Sequence, residues 1–339
     1  MPSAIQSTRT GGTAVMTMRA FAVEHFGDAA RVHDLPVPET TGAYVIRVRH
    51  AGVNPIDYKN LDHLTRTSQY PYVVGFDFAG VVERVPAGER DFAVGDRICG
   101  LARSHGSYAE YTAVAPRVKI EPLARIPEGV TDEQAAALPM PGTIALGSLE
   151  LLGVTTGQRV VVFGAAGGVG GYAVQIARSR GAHVIAVVRD GEVDEARRLG
   201  AEEIYDSNAV DVITAVHGAH PDGVDAVFDL VNGPDAIHRD AEILKSGGRV
   251  VSTIYAADIE WFAGRHIAAH NIASSATTDT ASRSANPSSS PQALSQLLRM
   301  LAEQTITARI GLVAELEEAG QVLNTLRHGG IRGKAIIQI

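Results

Sequence analysis

The sequence predicts an α/β protein in two parts, a β-rich portion and a doubly wound parallel sheet. Three observations carry this. From Met18 to about Leu138 the apolar pattern is short and alternating, and Pro36, Pro38, Pro55, Pro71 and Pro86 cut it into strand-length pieces. From Arg159 onward, continuous apolar runs of strand length alternate with helical stretches, as the crossovers of a parallel sheet require. At the first such crossover lies the glycine-rich run Gly164-Ala-Ala-Gly-Gly-Val-Gly170.

In chain order, Met1 to Thr17 is rich in Ser, Thr and Gly, has no acidic residue and lacks the apolar stretch of a secretory signal. It is expected to be a disordered leader, residues 1–17, with the folded chain starting near Met18. Strands are expected at Arg19 to Glu24, Tyr44 to His50 and Asp77 to Val85, with a turn into a fourth at Gly95 to Gly100. Helical signal is scarce in this part. Strand Arg159 to Phe163 is followed by a helical pattern from Gly170 to Ser179, strand His183 to Val188 and a charged helix Val193 to Leu199. Further strands fall at Glu203 to Tyr205, Ala226 to Leu230 and Arg249 to Thr253, with a helix Ala236 to Leu244 before the last. Ser274 to Ser290 reads as a surface loop dominated by Ser, Thr and Ala. Helices at Pro291 to Glu303 and Glu315 to Arg327 and a strand Lys334 to Ile339 complete the chain.

Composition narrows the function classes. The 339 residues suggest about two domains. With 45% hydrophobic and 20% charged residues, disordered and fibrous classes are excluded. Thirty basic against 38 acidic residues give a net charge of -8 without any basic block, so no nucleic-acid partner is expected. The single cysteine, Cys99, excludes an internal disulfide and Cys-rich metal sites, and fits a reducing cytoplasmic setting. Val160 to Ala177 carries no charge for 18 residues, but five glycines within it make it strand, turn and helix, so no membrane span is expected.

The glycine run carries the most chemistry. Ala165, Gly167 and Gly170 occupy the three slots of the dinucleotide fingerprint, after a predicted strand and at the opening of a helix. Gly167 lets backbone approach a pyrophosphate, and Gly170 lets helix and strand pack closely. Gly168 and Val169 then lie at a helix N-terminus, whose N–H groups and dipole favour phosphate. At the end of the next strand, an NAD-binding unit places an acid for the ribose 2′-hydroxyl. Here apolar Val188 fills that place and Arg189 is set to meet a 2′-phosphate, so NADPH is the expected cofactor. Asp190 is the opposing neighbour, or a solvated turn residue.

Together these runs resemble the medium-chain dehydrogenase/reductase superfamily, and most of all its zinc-independent quinone oxidoreductase branch. The resemblance rests on Gly52-Val-Asn-Pro-Ile-Asp-Tyr-Lys59, Gly75-Phe-Asp-Phe-Ala-Gly-Val-Val82, Val94-Gly-Asp-Arg-Ile98, Gly106-Ser-Tyr-Ala-Glu-Tyr111, the glycine run and Gly248-Arg-Val-Val251. It implies a GroES-like β-rich catalytic domain from both chain ends (18–138 and 281–339) and a Rossmann NADP(H)-binding domain (139–280) inserted between them. Where zinc enzymes of this superfamily have Cys and His ligands, this chain has Asn54 and Phe76, and Pro139 lies near the place of a further Cys. No zinc is expected, and His266/His270 and His217/His220 read as surface histidines.

Without a Lewis acid, the electrophile must need only modest polarisation, which suits quinones and α,β-unsaturated carbonyls. The resemblance to enone reductases implies Lys59 as a hydrogen-bond donor, with Asn54 and Asp57 shaping the pocket floor. Each has a plainer reading: Asn54 as a turn before Pro55, Asp57 as an acceptor of backbone amides, Lys59 as a solvated cation. The resemblance further implies Thr143 beside the nicotinamide, Ser207 near the adenosine phosphate, and Val231 and Asn232 at the nicotinamide ribose. Thr253 and Ile254 end the next strand at the carboxyl edge, where ligands bind. A homodimer joined at Ile272 to Thr278 is implied as well. Two other functions stay open: an enoyl-thioester or pathway-specific enoyl reductase, with Arg103, Arg117 and Lys119 as a basic rim, and a non-catalytic NADPH-binding sensor or structural protein.

Overall fold

The run Val160-Val-Val-Phe163 is buried on both faces, as a β-branched stretch without polar alternation requires. It is the third of six parallel strands. Their order across the sheet is Glu203–Asp206, His183–Val188, Arg159–Phe163, Val224–Asp229, Leu244–Ser252 and Ala268–Asn271. Order reverses beside Arg159–Phe163, which makes this a doubly wound sheet with a switch point between the third and fourth strands. On one face Val161, Phe163, Ile185, Val187 and Val227 pack with Val212 and Val216 of a helix and with Phe262. Register aligns the carboxyl ends: Phe163 pairs with Val187 and Asp229, and Asp229 with Ser252. One edge of the sheet therefore gathers the turns that begin at Gly164, Arg189, Leu230 and Thr253.

The computed structural model describes residues 7–8, 15–39, 41–104, 106–116, 121–189, 191–254, 257–272 and 290–339. These fall into two compact units. One takes the described residues of Met1–Met140, Ser290–Ala302 and Ala308–Ile339; the other takes those of Pro141–Ser289 and Glu303–Thr307. The parallel sheet belongs to the second. There, Thr307 donates its amide and hydroxyl to Gln175 Oε1 at 2.8 and 3.0 Å and accepts from Nε2 at 3.2 Å, which fastens the short returning segment.

The first unit is built around the strand Tyr44–Val53. Tyr111–Val114 pairs with its first half, Asp77–Arg84 with its length and Lys334–Gln338 with its end, all antiparallel. A register shift between Val48 and His50 changes which face is presented. Tyr44, Ile46 and Val48 thus enter one core with Phe78, Val82 and Ile98, whereas Ala51 and Val53 enter another with Phe21, Tyr108 and Leu316. A second sheet pairs Val15–Val23 with Arg31–Pro36 and Tyr72–Val73.

Several elements differ from the sequence expectation. Helix Pro55–Asp62 stands where a turn was equally readable, and helix Pro139–Leu151 forms despite two prolines and two glycines. The expected helix Ala236 to Leu244 is a short helix Pro234–Ile237 followed by a 3-10 turn His238–Glu242, because the strand already begins at Leu244. Strand Val15–Val23 starts ahead of the expected Met18. Residues 1–6 and 9–14 of the expected leader, Asp190, Arg117, Lys119, residues 274–289 of the expected loop and residues 273–278 of the expected dimer edge lie outside the described residues.

Packing is close at Gly52, where a Cβ would run into the carbonyl oxygen of Ala136 and press on Asp77 Cβ at 2.9 Å. Gly52→Ala is expected to destabilise the protein by about 1–3 kcal/mol, since the obstacle is backbone that cannot swing aside. Gly42→Ala, with nothing within 4 Å of its Cβ, should change stability by less than about 0.5 kcal/mol in the same urea unfolding measurement.

Candidate active site

Helix Pro55–Asp62 begins directly where the strand Tyr44–Val53 ends, with Asn54 between them in extended conformation. Asp57, at the third helical position, accepts the Asn54 amide on Oδ2 at 2.8 Å and so closes the turn. The same oxygen accepts from the Tyr108 hydroxyl at 2.9 Å. Lys334, at the start of a strand whose next residue pairs with Val53, reaches Val53 O at 2.6 Å and Asn54 Oδ1 at 2.7 Å. An ammonium group only donates, so the Asn54 oxygen faces Lys334 and its nitrogen faces away. That nitrogen donates to Asp77 Oδ2 at 2.9 Å, and Asp77 Oδ1 accepts the Met140 amide at 3.0 Å.

All of these side chains are buried. The cluster contains two carboxyl groups and one ammonium. Burial pushes the Asp57 carboxyl up to about 7, against the hydrogen bonds from Asn54 and Tyr108; Asp77 pushes it further and Lys334 opposes. Burial also raises Asp77 to about 6, with Lys334 and Asn54 opposing. The Lys334 ammonium is pushed down by burial and held up by the two acids. Asp57 Oδ1 has no hydrogen-bond partner among the described residues, so nothing at that oxygen offsets the cost of burying the charge. Lys59 lies in the last turn of the helix, partly exposed and outside this cluster.

The second unit has a different kind of site. Gly164, which takes the turn after strand Arg159–Phe163, has φ +78°, and its Cβ would stand 2.7 Å from Val231 Cγ1. The turn-making glycine is therefore Gly164, immediately before Ala165. Gly167 caps the helix Gly168–Ser179 and is exposed; a Cβ there would meet only Gly164 O, at 3.2 Å. At Gly170 a Cβ would collide with that same carbonyl. The first bond of the helix runs from Gly171 N–H to Gly167 O at 2.8 Å, so the amides of Gly168, Val169 and Gly170 have no acceptor within it. An open backbone with a helix N-terminus behind it fits the pyrophosphate of a dinucleotide.

The remaining expected residues of this unit lie in or beside the carboxyl-edge turns, except Thr143, which is buried in helix Pro139–Leu151. Val188 is buried and Arg189 exposed, and the Arg189 amide donates to Glu192 Oε2 at 3.1 Å. The Ser207 hydroxyl donates to Val188 O at 3.1 Å. Asp229 Oδ1 accepts the amides of Val231 at 3.0 Å and Asn232 at 2.9 Å, and Val231 is left 56% exposed at the turn. Thr253 is buried, its amide 3.3 Å from Asp229 O, and Ile254 is half-buried.

Lys334, Asp77, Tyr108 and Asp229 were not singled out from sequence. For Lys334 a signal existed: a lone cation opens the strand Lys334-Ala-Ile-Ile-Gln338, three of whose five residues are apolar, and such a cation is buried only when paired. Asp77 sits likewise before an apolar strand. Nothing along the chain joined them to Asn54. Among the described residues no group of three His, Cys, Asp or Glu side chains is arranged to hold a metal ion.

The acids give a pH dependence with a definite sign. Unfolded, Asp57 and Asp77 titrate near 4; folded, they hold protons up to about 7 and about 6. The folded state binds more protons across that interval, so these groups lower stability as pH rises from about 4 to about 7. Urea midpoints measured at a series of pH values should fall over this range, and Asp57→Asn should flatten the fall by an amount on the order of 4 kcal/mol. An unchanged slope in the variant would contradict the placement of the proton.

Comparison with known proteins identifies the family of both parts of the chain. Residues 40–127 match the alcohol dehydrogenase GroES-like domain, and residues 168–276 match the family described as zinc-binding dehydrogenase. The quinone oxidoreductase of Sus scrofa is 30% identical over 253 residues, covering 74% of this chain and 72% of that one. A trans-enoyl reductase, himH, of Aspergillus japonicus is 30% identical over 216 residues, 59% of this chain and 62% of its own. The solved structure of the quinone oxidoreductase from Coxiella burnetii superposes with a TM-score of 0.79 at 28% identity, over 95% of this chain and 99% of that one. With its GroES-like domain and its Rossmann sheet, the chain belongs to the medium-chain dehydrogenase/reductase superfamily and is an oxidoreductase of that family, which works with nicotinamide cofactors on small molecules.

Proposed function

We propose that the protein is a zinc-independent, NADPH-dependent reductase of quinones or α,β-unsaturated carbonyls, acting as a homodimer in the cytoplasm. The observation that carries this is the occupation of the expected metal-ligand positions. Asn54 is bonded through both ends of its carboxamide, and Phe76 is a buried ring with the Arg103 guanidinium 5.7 Å from its centroid. These groups offer none of the thiolate or imidazole donors that zinc prefers. The acceptor must therefore delocalise its own incoming charge, as quinones and enones do.

Bound NADPH would supply the hydride. Gly167 leaves room for its pyrophosphate, Gly164 and Gly170 let the turn and helix pack closely behind it, and the amides of Gly168 and Val169 would face the negative charge. Arg189 provides the cation for a 2′-phosphate beside the apolar Val188; Glu192, bonded to the Arg189 amide, is the competing acid in that turn. Asp229 shapes the Val231–Asn232 turn at the switch point through two backbone amides. Thr143, Ser207, Thr253 and Ile254 complete the proposed cofactor contacts, and Asn54, Asp57 and Lys59 the proposed acceptor side. The similarity to a trans-enoyl reductase favours a second reading, in which the acceptor is an enoyl thioester and exposed Arg103 meets its anionic carrier.

Oxidation of NADPH and NADH followed by absorbance, with and without chelator, separates these readings when a simple quinone, a short 2-alkenal and an enoyl-CoA are offered in turn. Chelator-resistant, NADPH-preferring turnover of the first two is expected. Turnover of enoyl-CoA alone would move the protein to the thioester reading, and tight NADPH binding without turnover to a non-catalytic role. Arg189→Asp should raise KM for NADPH about 10- to 100-fold, the worth of a charge-assisted hydrogen bond, and change NADH use much less.

A further inference from the structure

We propose that Asn54 is the hydrogen-bond donor to the acceptor's carbonyl oxygen and that Lys334 is its positioning residue, acting through the carboxamide. The proposal deepens the reductase reading and rests on it. Lys334 Nζ lies 2.7 Å from Asn54 Oδ1, and because ammonium has no acceptor, this contact fixes which way the amide points. Nδ2 then carries two hydrogens. One goes to Asp77 Oδ2 at 2.9 Å; the other meets no acceptor among the described residues.

Exposure separates the members of the cluster. Asp57, Asp77 and Tyr108 are sealed at 1%, 0% and 0%, whereas Asn54 keeps 4% of its surface. Lys334 keeps 5%, but its ammonium is already committed to Val53 O and Asn54 Oδ1. Of the two members left unsealed, Asn54 has the uncommitted N–H and is assigned the contact with the reacting molecule. A cation on the amide oxygen draws electron density from the nitrogen and makes the remaining N–H a stronger donor, the more so in a dry, low-dielectric setting.

The chemistry needs such a donor briefly. In an enone, bound NADPH would supply hydride to the β-carbon, forming a C–H bond there while the C=C π pair would move toward the carbonyl oxygen. A proton from water then completes the α-carbon. The oxygen carries the charge only in between, and a preorganised donor stabilises that stage more than the ground state. Quinones, whose aromatic product drives the reaction, depend on it less.

The test uses p-nitrophenol, whose phenolate places a conjugated oxyanion where the acceptor oxygen would sit, titrated against the protein with oxidised cofactor present. The wild-type protein should lower the bound phenol's pKa by about one unit or more. Lys334→Met should abolish that shift and lower kcat on a 2-alkenal at least about 10-fold, with a smaller loss on a quinone and KM for NADPH unchanged. Because this variant leaves two buried acids without their cation, the double variant Lys334→Met/Asp77→Asn repeats both measurements with the charge rebalanced. An unshifted phenol in the wild type, an equal shift in the variants, or equal losses on both acceptors overturns the proposal. A shift that vanishes with Lys334, in a protein that reduces neither acceptor, would remove the reductase reading and leave the donor assignment standing.

Discussion

A buried ammonium group holds the first unit to its geometry. Lys334 is removed from water beside two carboxyl groups, a carbonyl and a carboxamide; Val53, Asn54 and Asp57 come from one strand-to-helix turn and Asp77 from a separate strand. Burying any one of these charges alone costs several kcal/mol, so they are stable only as a set. The set in turn fixes the end of strand Tyr44–Val53, the start of helix Pro55–Asp62 and the start of strand Asp77–Arg84. Asn54 lies at the join because a carboxamide can accept from the cation and donate to the acid at once, which neither Cys nor Ser does in the same span.

The second unit solves its problem without charge. Six parallel strands in register bring their carboxyl ends to one edge, and the turns there are made by glycine, by Asp229 and by short side chains. Its specificity is steric. A Cβ at Gly164 or Gly170 would meet Val231 or the Gly164 carbonyl, so the turn that leaves backbone open for a pyrophosphate tolerates no larger residue. Asp229, buried at that edge, is used internally on the amides of Val231 and Asn232.

This contrast explains what could be read along the chain. Much of the parallel sheet was legible because Arg159–Phe163 and His183–Val188 are continuous apolar runs and the first crossover opens on a glycine turn, signals that are local, whereas the edge strand Ala268–Asn271, short and half polar, was missed. Helix Pro139–Leu151 was not, since Pro139, Pro141, Gly142 and Gly147 argue against a helix that buried surroundings nonetheless impose. Strand Arg31–Pro36 was missed because it is mostly exposed and polar, with only Leu35 fully buried. Asn54 and Asp57 were legible from the motif that carries them, but the partner of Asn54 lies 280 residues away. Pairing at that separation leaves no periodicity to detect.

That separation also orders the events of synthesis. Asp57 and Asp77 are made early, and the entire nucleotide-binding unit is translated before the cation that neutralises them. Domains fold as units as they emerge, so the parallel sheet has all its strands while the first unit still lacks one of its own. Until Lys334 arrives, the two acids must stay protonated or wet. A ribosome that stops short of the final strand therefore releases a chain able to fold its parallel sheet but not to bury Asp57 and Asp77 with their cation.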